Sequence, residues 1–258
     1  MASAGFSAPV NFFYLNATVS ASLSPVTSNE NKTCSLAESV NSFGDTTNCD
    51  SFGEVMAPSV DYIVIGELDL SNFSLGYIVN VPAVGKHFMI VGLTITTQAG
   101  QPPRVTVTGV EVEDTAVNLH LCNLSGTLLP RSKAQDICGA FAATNYLTQA
   151  TTTFSIDPHI ATKASVPKFS DASHARVEVS VTMTKPTSGV ASLALGSNGF
   201  SLSSPITSSN PDGDYITQTA TAVKFLACTE PGDRSANSLT SAPAPTSGDG
   251  EGGDGEQR

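Results

Sequence analysis

The chain has 258 residues, 12 of them Lys or Arg and 23 Asp or Glu, giving a net charge of −11, and only 14% of its residues are charged. The sign of that charge excludes a basic protein that grips nucleic acid through its phosphates. The scarcity of charge excludes a coiled coil, which needs abundant Glu, Lys and Leu; Ser (32) and Thr (28) supply 60 residues instead, and Trp is absent.

In chain order, the first expected strand is Asn11–Val19. Residues Thr27 to Ala57 are polar, rich in Asn and Ser, and read as a long loop or mobile arm. Strands are expected next at Asp61–Leu68, Phe73–Val79 and Lys86–Thr97, separated by turn residues around Pro82 and from Gln98 to Pro103. The run Val105–Glu113 alternates apolar and polar residues. Gly109 is expected to shift the phase by one, as a bulge does, so that Val105 and Val107 share a face with Val110 and Val112. Val117–Cys122 is a further strand candidate.

One helix is expected, Arg131–Thr144. Pro130 precedes it, and Ala134, Ile137, Cys138, Phe141 and Ala142 fall at helical spacing. Thr151–Ile156 returns to strand. Arg176–Thr184 alternates without interruption, with Val177, Val179, Val181 and Met183 on one face and Glu178, Ser180, Thr182 and Thr184 on the other. Such a strand belongs to an antiparallel sheet with one wet side. Gly189–Leu195, Gly199–Leu202 and Tyr215–Leu226 follow, and Asn210-Pro211-Asp212-Gly213 marks a turn between strands. Leu93–Ile95 followed by Arg104–Val107 resembles Phe154–Ile156 followed by Arg176–Val179, as two hairpins of one sandwich would, although any two antiparallel hairpins share this pattern. From Thr229 to Arg258 the periodicity stops. Six acids face Arg234 and Arg258 there, and such a segment cannot bury enough to order itself. The expected organisation is an N-terminal strand and polar arm (1–57), a β core (58–228) and an acidic Gly/Ser/Pro-rich tail (229–258). The expected fold is all-β, an antiparallel sandwich or barrel with one flanking helix at 131–144.

The search for chemistry returns little. Cys34, Cys49, Cys122, Cys138 and Cys228 are odd in number and lack CxxC spacing, which argues against zinc. A Cys34–Cys49 disulfide is conceivable; thiols in a reducing compartment are the plainer expectation. Four sequons begin at Asn16, Asn31, Asn72 and Asn123. No two of His87, His120, His159 and His174 lie within four residues of each other. Asp157-Pro158-His159 reads as a turn before it reads as a dyad. Asp212 and Asp214 lack the later ligands of a calcium loop. Glu111, Glu113 and Asp114 read as a solvated strand edge that discourages aggregation. Tyr14, Tyr62, Tyr77, Tyr146 and Tyr215 are too scattered for a sugar-binding platform. No nucleotide, zinc-protease or serine-hydrolase motif occurs. The expectation is therefore no catalytic, cofactor-binding or metal-binding residue, no cofactor, and no enzyme. Apolar runs such as Tyr62–Ile65 and Phe88–Val91 are far below the roughly 18 residues of a membrane span. The start of the chain has no basic residue and no apolar stretch of a signal peptide, so synthesis in the cytoplasm is expected.

The stretch from Lys86 to Glu113, which holds HFMIVGLTITTQAGQPPRVTVTGVEVE, resembles a late hairpin of tailed-bacteriophage tail-tube proteins. Thr151 to Thr184 is similar to another hairpin of such tubes. The resemblance is one of pattern over roughly 100 residues, and the Thr27–Ala57 insert departs from it. It implies a virion structural protein: a sandwich with a flanking helix, forming homo-oligomeric rings, hexameric in the family, that stack into a tube. Partners would be copies of itself and other virion proteins, with DNA passing unbound through a lumen that acidic residues keep free of phosphate contacts. Interfaces would lie on strand edges, on Arg131–Thr144 and on the arms. Alternative readings are a capsid or decoration protein, and a secreted glycan-binding or adhesin sandwich that uses the sequons and a Cys34–Cys49 bridge.

Overall fold

The computed structural model describes residues 17–40, 46–81, 85–112, 121–142, 144–163, 166–210 and 213–228. Most of the strand expected at Asn11–Val19 lies outside these residues, as do Tyr14, Asn16, Glu113, Asp114, His120, Asp212 and the tail from Thr229. Ala17–Ser22 is a short helix, α1, and not the end of a strand. The helix turns the chain into the sheet. Val19 is 2% exposed, and the Ser22 carbonyl accepts from the Ile65 and Gly66 amides.

Seven long strands follow: β1 (Leu23–Val40), β2 (Thr46–Val64), β3 (Lys86–Gln98), β4 (Arg104–Val112), β5 (Leu147–Lys163), β6 (Val166–Pro186) and β7 (Tyr215–Phe225). They form one antiparallel sheet in the order β1-β2-β4-β3-β5-β6-β7. Ile78–Val81 adds to β3, while Ser201–Leu202 and Thr207–Ser209 add to the outer edge of β7. The fold is all-β, as the alternating pattern predicts. The sheet curls, bringing β6 towards β2 and β4, without closing into a barrel among the described residues.

Period-two alternation builds the inner face. Val177, Val179, Val181 and Met183 are buried as expected, packed with Val60, Tyr62 and Val64 of β2, Leu93 and Ile95 of β3, and Val105 and Val107 of β4. The two hairpins whose sequences echo each other, β3–β4 and β5–β6, lie side by side at the centre. Short strand pairs cover this face as a second layer: Leu68–Asp69 with Thr127–Leu128, Ser74–Leu75 with Cys122–Asn123, and Phe141–Ala142 with Ala194–Leu195. Leu68, Leu70, Phe73, Leu75, Leu124 and Leu128 fill the space between the layers.

Four further expectations are corrected. Arg131–Thr144 is not a helix. Side chains take backbone donors that a helix would use: the Gln135 amide donates to Thr97 Oγ1 of β3 at 2.8 Å, and the Phe141 amide to Asp136 Oδ2 within the segment at 2.7 Å. Gly139, at φ 61°, adds a left-handed turn that a helix cannot contain. Thr27–Ala57 is not a loop but most of the β1–β2 hairpin. The bulge near Gly109 sits on the facing strand: Ile90 pairs with Gly109 and Gly92 with Thr108, which leaves Val91 as the extra residue. Alternation in β4 therefore runs on through Gly109, and Glu111 turns inward. Gly92 leaves room beside that bulge for the Thr108 hydroxyl, which a Cβ there would force to move.

The fourth concerns the cysteines. Cys122 and Cys228 form a disulfide across 106 residues, tying the second layer to the segment after β7. The register of the β1–β2 hairpin sets Cys49 opposite Glu38, four residues along the strand from Cys34. At a rise of about 3.3 Å per residue that separation far exceeds disulfide reach. Sequence spacing cannot select one pairing among five cysteines.

Candidate functional site

Two hairpins outrun the sheet. β2 pairs with β4 only over Ser59–Ile63, whereas its pairing with β1 continues to Thr46. Among the described residues, the β1–β2 hairpin beyond Ser59 is therefore a two-stranded ribbon, about 40 Å long at the usual strand rise. The second ribbon belongs to β5–β6. The last β3–β5 pair is Gly92 with Ser155, and the last β6–β7 pair is Phe225 with Arg176. From there, among the described residues, Asp157–Lys163 and Val166–Ser173 pair only with each other, for about 20 Å.

Each ribbon has a polar fixture at its root. Below the first, Asp61 accepts from Thr27 Oγ1 at 2.7 Å and from Thr106 Oγ1 at 2.5 Å, linking β1, β2 and β4. Above the last β2–β4 backbone pair, Glu111 takes over. It is 7% exposed, pairs with Lys86 Nζ at 2.8 Å, and accepts from the Met56 amide at 3.2 Å. Glu111 is thus a buried clamp and not a solvated edge. Its signal lay in the sequence: alternation read straight through Val105, Val107 and Gly109 places it on the inner face.

At the root of the second ribbon His159 Nε2 lies 2.7 Å from Ser173 Oγ, which lies 2.8 Å from His174 Nδ1. The fold thus joins two histidines fifteen residues apart in sequence. No sequence signal singles out Ser173. All three side chains are at the surface, beside a pocket of about 240 Å³ lined by Ile156, Ala175, Phe225 and Cys228 among others.

The remaining candidates stay apart. His87 is half-buried on β3, and Asp214 is exposed. Among the described residues no group of three His, Cys, Asp or Glu could hold a metal. Tyr62 is buried, whereas Tyr77, Tyr146 and Tyr215 are exposed at separate places. Asn72 and Asn123 are exposed; Asn123 Oδ1 accepts from Ser74 Oγ at 2.7 Å. Cys138 is a free thiol, and burial pushes its pKa up to about 12. Among the described residues no helix is long and apolar enough to cross a membrane.

The chemistry this arrangement offers is main-chain hydrogen bonding. Near the body the outer edges are blunted: Pro25 and a register shift beside it interrupt β1, and Pro205 separates the two short strands on β7. Proline and bulges are the usual devices against edge pairing. Further out, β1 hydrogen-bonds to β2 alone among the described residues. No protein-family model matches the chain, and no curated protein matches it.

Proposed function

We propose that the chain is a structural subunit that assembles with copies of itself through its two ribbons, most like a virion tail-tube subunit whose rings stack into a passage for DNA. One observation carries this reading: among the described residues, both ribbons run past every strand they pair with in the sheet. An isolated two-stranded hairpin is only marginally stable in water, and its outer rows of N–H and C=O groups are templates for another chain. Neighbouring copies supply that cover at no cost in new secondary structure. The net charge of −11 suits a passage that must not retain DNA. Copies of the chain and other virion proteins are the expected partners, no catalytic step is involved, and the virion is its expected location. Electron microscopy of the purified protein together with its oligomer mass tests this. Rings or tubes are expected; a strict monomer at high concentration overturns it.

The Cys122–Cys228 disulfide favours a second reading, a secreted or surface-displayed binding module, because such bonds persist in oxidising surroundings. Mass spectrometry of non-reduced protein from its native source, combined with a monomeric mass, would favour that reading over assembly.

A further inference from the structure

We propose that the root of the β5–β6 ribbon is a pH-sensitive hinge, with His174 as the joint and the His159–Ser173–His174 hydrogen-bond chain as its latch. The flanking strands end at one level, β3 at Ser155 and β7 at Arg176. Immediately beyond, Ile156 alone faces both His174 and Ala175 before the register resumes at Asp157 and Ser173. His174 has φ 54°, the only positive φ outside glycine among the described residues. L-residues resist that region, although histidine enters it more readily than most. A bulge of this kind bends its strand. The ribbon thus leaves the sheet over one strained residue, and the pocket between Ile156, Ala172, Phe225 and Leu226 gives it room to swing.

The latch depends on proton count. A serine hydroxyl has one proton and two lone pairs. With neither ring charged, or one, Ser173 donates to one imidazole and accepts from the other, and the chain is complete. With both rings charged, both nitrogens are donors, the serine proton has no acceptor within the latch, and two cations face each other around one oxygen. Other charged groups bear on this balance. Asp157 stands opposite Ser173, and Asp171 holds the register position opposite His159. Arg176 lies just below the bulge on β6, and Lys224 follows on β7, opposite Val177. Cys228 is held in the disulfide and carries no charge. Histidine changes charge between pH 5 and 8, so acidification releases His174 from its left-handed conformation and frees the ribbon. The hinge is a property of one chain and does not depend on what the ribbon contacts.

Amide hydrogen exchange of the full chain, corrected for intrinsic rates, tests this at about pH 7.5 and pH 5. The expected result is a loss of protection of about tenfold or more at the lower pH, confined to residues 156–159 and 172–176, with β3 and β4 unchanged. His174→Gly keeps the left-handed backbone without the imidazole and is expected to abolish the pH dependence. Ser173→Ala is expected to exchange at neutral pH as the wild type does at the lower pH. The hinge is overturned by a wild-type change smaller than this, by its persistence in His174→Gly, or by full protection of Ser173→Ala at neutral pH.

Discussion

The Tyr62 hydroxyl is buried without a hydrogen-bond partner among the described residues, on a side chain only 1% exposed. Burial pushes its pKa up to about 12, because a phenolate there would lose its solvation. An unfolded chain ionises its tyrosines near pH 10. The neutral phenol's contribution to stability is therefore complete below pH 10 and is lost as the pH rises towards 12. Tyr62→Phe removes an orphaned polar atom and is expected to equal or exceed the wild type in urea unfolding at pH 8, by up to about 1 kcal/mol. It should also lose less stability than the wild type between pH 9 and 11. A large destabilisation at pH 8 would mean that the hydroxyl has a partner after all. Cys138 follows the same physics: burial raises its thiol first, the Asp136 carboxylate adds to this, and Lys224 opposes it. Since the thiolate is the reactive form, alkylation of Cys138 by iodoacetamide should be at least about 100-fold slower in folded than in unfolded protein, as read by peptide mass spectrometry. Equal rates would place the thiol in water.

At the scale of strands, what was legible in the sequence was what one buried face imposes. Val177, Val179, Val181 and Met183 could be read because the core selects every second residue of β6. The part of the β1–β2 hairpin beyond Ser59 could not, since a ribbon standing off the sheet needs no apolar face and leaves no alternation. Arg131–Thr144 misled because its apolar spacing fits a helix, while the Gln135 amide is bound to Thr97, which only the fold brings into place, and the Phe141 amide to the side chain of Asp136 within the same segment. The ribbon fixtures were legible in part: Glu111 by alternation, and the Ser173 latch not at all, since a bulge brings it together. Truncating the clamp tests the energetics of the first root. Glu111→Ala leaves the buried Met56 amide unpaired, which costs about 2 kcal/mol; the Lys86 ion pair adds little because its lysine is more than a third exposed. Glu111→Gln should recover much of the loss in urea unfolding, and equal losses in both variants would assign the effect to the ion pair. The disulfide acts over a longer range. It closes a span of 106 residues, so Cys228→Ser is expected to lower stability by about 2–5 kcal/mol. Full stability in that variant, with wild-type protein losing nothing on reduction, would deny the bond a structural role.

For the whole molecule the question is whether the ribbons bind copies of the chain. Shortening the first one separates the body from the arm. Joining Thr33 to Val55 through Asn-Gly, a pair that favours a two-residue hairpin turn, removes the distal ribbon while retaining the strand pair that carries Met56, and with it the Glu111 clamp. It also removes Cys34 and Cys49, so chance intermolecular disulfides cannot be mistaken for assembly. The shortened chain should keep the stability of the body to within about 1 kcal/mol, because the strand pairing of the residues removed, among the described residues, is with their own hairpin. Sedimentation velocity over about a hundredfold range of concentration should find association in the full chain and a monomer in the shortened one. Association that survives the deletion would move the interface to the other ribbon or to the body. Salt separates two causes of any association seen. Each copy carries a charge of −11, so copies repel one another, and screening at high ionic strength weakens that repulsion. Contacts made by main-chain hydrogen bonds must therefore tighten as salt is raised. If association instead weakened with salt, ion pairs would be holding the copies together, and the outer edges of the ribbons would not be the surface that joins them.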